Sequence, residues 1–355
     1  MQQTEQAASQ ANAISPNSPP SWWQRNGPAV TLLLLAPVIS EVLYGSTRVS
    51  VIPVLIPEIM CWGCGALLIR HFVRRWQKGW LSMMLMGLAL AVAEECVIQQ
   101  TSIAPLVGLA PHAYGRVFGV NWVYFLWALG YECAWVVLIP VQLTELLFPA
   151  RRREEWLGTR GVFVVGGFFV LGSFLAWYSW TQMSRVQVFH MEPYSPPPLY
   201  IAAGLAGILT LIFASYRLHA PAVKRETRRP APTPVTVALM AGILGTPWAA
   251  AVEVGFGNWP LIPYWWALAV GLAWAGLTLI LIKRWTSCAN WGDAHRYALV
   301  FGGVIACMLG GFGMYRMGGV GGVLTVDWIG KGVLNLAAAG WLVWFGVKRM
   351  RSTEG

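Results

Sequence analysis

Apolar stretches of about 20 residues recur along the chain, divided by short polar, Pro-rich or Gly-rich connections. A helix rising 1.5 Å per residue needs roughly 20 apolar residues to cross a hydrocarbon core of roughly 30 Å, so the pattern predicts membrane-crossing helices. Ten are expected, at about 28–46, 51–73, 80–99, 120–148, 161–182, 198–217, 234–253, 261–283, 296–314 and 325–347. The alternating ten-residue segments of a membrane β-barrel do not occur. The expected fold class is therefore all-α, a polytopic helical membrane protein. The connections suggest an organisation. Residues 1–27 read as a disordered polar tail without the basic and apolar regions of a signal peptide, which leaves the first apolar segment as an uncleaved insertion signal. Residues 28–217 form a first bundle of six helices, 218–233 a basic Pro-rich linker, 234–347 a second group of four, and 348–355 a basic tail.

Composition agrees with this picture. Of 355 residues, 56% are hydrophobic and 11% charged, against roughly 25% charged in an ordinary soluble domain. The net charge of +10 would suit nucleic acid, but its distribution argues otherwise. With the N-terminus in the cytoplasm, only Arg48, Arg116, Arg185, Arg316 and Lys331 of the 25 Lys and Arg fall on the outer side. That bias is the positive-inside rule, and it predicts both termini inside a plasma (bacterial inner) membrane. The partners expected are the lipid bilayer and anionic lipid at the basic cytoplasmic loops, not nucleic acid. Protein partners are not indicated. Tryptophans such as Trp22, Trp23, Trp156, Trp265, Trp266, Trp285 and Trp291 fall near helix ends, where indole rings anchor at headgroups.

The candidate chemistry lies in the acids. Glu41, Glu58, Glu94, Glu95 and Glu132 fall on the first four helices at depths within the outer half of the bilayer. Burying a charge there costs roughly 2.5–3.5 kcal/mol even on the gentlest scale, so an ionisable group at this depth marks a functional site. Carboxylates held close together must share protons, bind a cation or face water. Glu94, Glu95 and Glu132 are the expected centre. Glu95 and Gln99 share a helical face at i,i+4, Tyr131 adjoins Glu132, and His112 is the histidine best placed to reach the group. Glu253 ends the seventh helix much as Glu94 and Glu95 end the third, a hint of an internal repeat.

Other motifs carry less. Cys61-Trp62-Gly63-Cys64 brings two thiols to i,i+3 on a helix, where they could pair or bind a soft metal, or simply pack. Arg316 to Gly322 is Gly-rich but follows no strand, as a phosphate loop must. Glu145 and Arg151–Arg153 read as interface charges, and Asp327 and Lys331, at i,i+4, as a mutually neutralising pair. No cofactor is indicated, and a metal is left open.

Adjacent glutamates on a membrane helix, with a polar candidate one helix later, resemble the CAAX-processing and bacteriocin-processing (CPBP) family of intramembrane proteases. That family carries Glu-Glu-x-x-x-Arg, then Phe-x-x-x-His, then His-x-x-x-Asn or Asp. Glu94-Glu95 match the first pair, Gln99 stands at the arginine position, and Tyr131-Glu132 lies where a histidine is expected. The resemblance covers residues 80–140. It implies that Glu94 or Glu95 activates water beside a scissile bond, with Glu132 in place of the histidine. The stretch from Glu41 to Pro149 also looks like bacterial membrane proteins of unassigned function. Three classes stay open: a membrane-embedded hydrolase, a proton- or cation-coupled transporter, and a non-catalytic scaffold.

Overall fold

The computed structural model describes residues 21–105, 115–218, 230–251, 262–316 and 322–351. Among these, nine helices are long and apolar enough to cross a membrane: α1 (Trp22–Leu43), α2 (Val49–Arg75), α3 (Trp80–Ile98), α4 (Trp122–Leu147), α5 (Thr159–Gln187), α6 (Pro198–Arg217), α8 (Tyr264–Thr286), α9 (Asp293–Arg316) and α10 (Thr325–Lys348). Between α6 and α8 lies α7 (Pro234–Ala251), whose apolar stretch is shorter. The architecture is an all-α polytopic membrane protein. Two-residue strands, β1 (Arg116–Val117) and β2 (Val120–Asn121), make a small antiparallel hairpin before α4. Phe118 and Gly119 at its turn both have positive φ, at 50° and 75°, which lets the two strands meet directly.

The first helix begins at Trp22 rather than 28. Ser21 and Gln24 form a reciprocal capping box, Ser21 Oγ accepting from the Gln24 amide at 3.2 Å and Gln24 Oε1 from the Ser21 amide at 2.7 Å. Two orphan donors are thereby satisfied, and the helix extends into the polar stretch expected to be disordered. Most of the linker expected at 218–233 lies outside the described residues.

Helices α1–α4 and α9 are the most buried, while α5, α6 and α8 turn most of their surface outward, as lipid-facing helices do. Leu32, Trp62, Leu67, Met83 and Val136 join α1–α4 in one core. A second core holds Ile39, Tyr131, Trp135, Val304 and Leu342, drawing α9 and α10 against α1 and α4. A third, with Val237, Leu244, Trp285 and Ala298, joins α7, α8 and α9. Small residues permit the tightest approach. A side chain at Gly302 of α9 would run into the Ala238 carbonyl of α7, the close backbone contact that stands in for hydrophobic driving force between helices in lipid.

Several tryptophans expected at the interface are core residues. Trp156, Trp285 and Trp291 are buried, whereas Trp22, Trp23, Trp265 and Trp266 are exposed. Trp156 lies under the Arg70 guanidinium, 3.4 Å from its carbon. Glu145 is likewise no interface charge: it is buried and takes Arg70 Nε at 3.2 Å and Arg74 Nη2 at 2.8 Å. Arg70 also donates to the carbonyls of Arg152 and Glu154 at 2.8 and 2.5 Å. This network ties α2, α4 and the connection after α4 together at the end opposite the glutamates. Where the connection after α4 meets the start of α9, Arg152 and Asp293 form a two-point ion pair at 2.8 and 2.9 Å, and these hydrogen bonds raise the Arg152 pKa above its ordinary value.

Candidate functional site

Carboxyl positions follow from a local departure in helical geometry. Five segments among the described residues are π-helical: Val38–Leu43, Ile59–Gly63, Glu94–Ile98, Glu132–Leu138 and Tyr178–Ser184. The first four lie on α1–α4, one each. Glu41 sits inside the first, Glu58 immediately precedes the second, Glu94 and Glu95 open the third, and Glu132 opens the fourth. A π turn hydrogen-bonds i to i+5 and leaves backbone carbonyls without their usual helical partners; such turns are rare and concentrate at functional sites.

On α1 these carbonyls are taken up by side chains from three other helices. Tyr131 Oη donates to Ser40 O at 2.5 Å. Cys307 Sγ reaches Ile39 O at 3.5 Å, and Lys331 Nζ donates to Leu43 O and Tyr44 O at 2.8 Å each. Lys331 also lies 4.7 and 5.3 Å from the ring centres of Phe312 and Tyr315. It therefore does not neutralise Asp327, contrary to the i,i+4 expectation. Asp327 instead accepts from Ser50 N at 2.9 Å, Ser50 Oγ at 3.0 Å and Leu324 N at 3.0 Å, capping the start of α10. In each case backbone groups that need a partner outcompete a side-chain pair.

Among the expected site residues, Glu94, Glu95 and Glu132 are buried, while Glu41 and Glu58 are half-buried. The Glu94 and Glu132 carboxyls lie within hydrogen-bonding reach of each other. Glu95 adjoins Glu94, Glu41 lies close enough to interact with both Glu94 and Glu132, and Glu58 interacts with Glu41. These five acids are carried by four helices, each at or beside a π segment. Each end is held by hydroxyls. Ser102 donates its hydroxyl to Glu95 at 2.5 Å and also its amide; Ser46 donates to Glu41 and Thr47 to Glu58. Glu58 Oε2 and Glu132 Oε2 have no hydrogen-bond partner, and the buried Trp62 indole lies beside Glu41.

No ion pair joins any of these glutamates to Lys, Arg or His among the described residues. Nor do described His, Cys, Asp and Glu form a group of three or more able to hold a metal ion. All six cysteines are free; Cys61, within hydrogen-bond distance of Ser173 at 3.5 Å, belongs to the α2 π segment.

Two expected positions stand differently. Glu95 is held by Ser102, not by Gln99, because the π segment changes which residues share a face; Gln99 instead directs its backbone N–H to Glu94 O at 2.9 Å. Tyr131 serves α1, stacked between Trp127 and Trp135 at centroid distances of 4.9 and 5.2 Å. His112 and Glu253 lie outside the described residues. His71 is buried toward the C-terminal end of α2, where both ring nitrogens lack a hydrogen-bond partner. Ser46, Thr47 and Ser102 were not anticipated; each lies five to eleven residues from its glutamate, across the turn that follows a helix end or opens the next helix.

Comparison with protein-family models, with curated proteins and with solved structures finds no match.

Proposed function

We propose that this membrane protein moves protons through the carboxyl chain of α1–α4, as part of proton-coupled transport. One observation carries the reading: Glu94 and Glu132 face each other within hydrogen-bonding reach, and no cationic side chain pairs with either among the described residues. An ionised carboxylate only accepts hydrogen bonds, so two of them bond to each other only when the pair holds a proton. Glu41 and Glu95 flank this pair and Glu58 lies next to Glu41, so a proton can pass between neighbouring carboxyls without a charge standing alone in low dielectric. The pair's protons belong to the pair and not to one residue. Serine and threonine hydroxyls at Glu95, Glu41 and Glu58 accept and donate, and so serve as relays at either end.

The same residues would serve the hydrolase reading, with Glu94 or Glu95 as general base. Two clefts, of about 480 and 260 Å³, open near the end of α3, but neither is lined by any of the five glutamates. A scissile bond would have to reach the pair by another route, so proton transfer is the reading the geometry favours.

The test is proton flux into liposomes holding the full chain and a trapped pH-sensitive dye. Glu94→Gln and Glu132→Gln should each lower flux by at least about tenfold, the loss of one general acid–base group being worth roughly 10²–10⁴ where proton transfer limits the rate. Flux unchanged in both variants would overturn the proposal.

A further inference from the structure

The connection that follows α3, residues 99–105, forms a strap over Glu95. Gln100 stands at φ of 60°, a left-handed conformation that persists only where the surroundings enforce it. Its carbonyl accepts from the Ile103 and Ala104 amides at 3.2 and 2.8 Å. The chain therefore turns back, and Ser102 meets Glu95 at 2.5 Å. Residues 100–104 are all buried, Ser102 completely, and Glu95 beneath them is 2% exposed. A connection between two crossing helices lies at a face of the membrane, where water is met. The strap thus stands between that water and Glu95.

Each carbonyl from Ser102 to Pro105 is held by a donor from another element. Ser102 O accepts from Asn121 N at 2.8 Å. Arg116 donates to Ile103 O at 2.7 Å and Ala104 O at 2.8 Å. Tyr194 Oη adds a second bond to Ile103 O at 2.8 Å, and Arg185 donates to Pro105 O at 2.9 Å. Arg116 and Asn121 face each other across the β1–β2 hairpin, so one cross-strand pair grips three consecutive carbonyls. Arg185 directly follows the π segment of α5, the one that carries no glutamate, and Thr181 O of that segment accepts from Tyr194 N at 3.3 Å. Neither arginine forms an ion pair among the described residues. Their charge goes to the strap, in bonds roughly twice as strong as neutral ones.

We propose that the strap is a gate on the carboxyl chain and that Arg116, Arg185 and Tyr194 are its latch. With the strap closed, the Glu95 carboxyl meets the Ser102 hydroxyl and no water. Local opening breaks the latch bonds, admits water to Glu95 and lets a proton enter or leave there. Such an opening is a local equilibrium whose free energy is set by the bonds it breaks. The inference rests on the proton-transfer reading and adds the control of that same site.

The experiment measures two quantities on the full chain in liposomes. One is the rate at which a water-soluble carbodiimide modifies Glu95, read by peptide mass spectrometry; the other is proton flux. Arg116→Met removes two charge-assisted bonds and should raise both by at least about tenfold. Tyr194→Phe removes one neutral bond, leaves the ring in place and should raise both by about threefold. The sign is diagnostic, because a merely structural role would lower flux as the fold weakens. Glu95 modification unchanged in both variants would overturn the latch. Modification that rises while flux stays level or falls would overturn the gate. The double variant Arg116→Met/Glu94→Gln separates this inference from the reading beneath it: Glu95 modification should stay raised while flux is lost. Flux that persists in the double variant would overturn the proton-transfer reading, and the gate on it, while the modification rates still decide whether the latch closes the strap.

Discussion

At the scale of single residues, the membrane interior makes every polar group accountable. Lys331 shows this most plainly. Its ammonium sits on two carbonyls at 2.8 Å and over two aromatic rings, where the attraction to π faces compensates for lost water. Lys331→Met should destabilise the protein by about 1–3 kcal/mol for each carbonyl left without a donor, read as a lower unfolding midpoint in detergent. Asp327→Asn should cost less, since the side-chain amide keeps an acceptor for one of the two backbone amides, those of Ser50 and Leu324, that the carboxylate serves through separate oxygens. Equal effects of the two variants would mean that Lys331 and Asp327 act as a pair after all. The sequence placed both residues at i,i+4 but could not show the competing backbone groups, because those belong to the end of α1 and the start of α2, some 280 positions away.

At the scale of elements, two structures shape α2 and α4. At one end is the Glu145 network, with Arg70 and Arg74. Removing the single acid leaves two guanidiniums facing each other, and breaking a buried ion pair in this way costs about 3–5 kcal/mol. Glu145→Leu should therefore lower stability in detergent markedly more than Arg74→Met, which leaves Arg70 and Glu145 paired; the reverse order would contradict the network. Within both helices, away from that end, are the π segments. Helix existence and approximate bounds were legible in the sequence, because hydropathy at 20-residue length depends only on composition. The π segments were not, since a π turn carries no residue signature and arises from packing against neighbours. That is why the i,i+4 partnership of Glu95 with Gln99 fails: one extra residue per turn rotates the face and presents Ser102 instead. Gly63, within the α2 π segment, lies so close to the Leu33 carbonyl of α1 that a side chain would collide with backbone. Gly63→Val should separate α1 from α2 and lower both stability and flux, whereas Gly276→Val on α8, with open space around it, should change neither. Unfolding midpoints and liposome flux of the two variants check this.

At the scale of the whole molecule, the acids singled out by their depth in the sequence lie on α1–α4 at or beside π segments, and the paired Arg70, Arg74 and Glu145 lie toward the ends of α2 and α4. The sequence suggested which residues to examine, because charge within an apolar run is conspicuous. It could not show which would meet, because that depends on how α1, α3 and α4 pack and on α9 and α10 closing over α1. Ten crossings would put both ends of the chain on the same side of the membrane. Single cysteines introduced at Ser21 and Ser352 in a chain whose own cysteines are replaced should react with an impermeant maleimide only from that side, and labelling from opposite sides would require an odd number of crossings.

The central claim is that a proton is held between Glu94 and Glu132, and infrared difference spectroscopy of the reconstituted protein reads it directly. A protonated carboxyl has a C=O stretch distinct from that of a carboxylate and sensitive to exchange into deuterated water. The account predicts such a band at neutral pH that shifts on deuteration and is lost or displaced in both Glu94→Gln and Glu132→Gln. A carboxyl spectrum unaffected by either substitution would contradict it and leave these acids as separate, ionised groups.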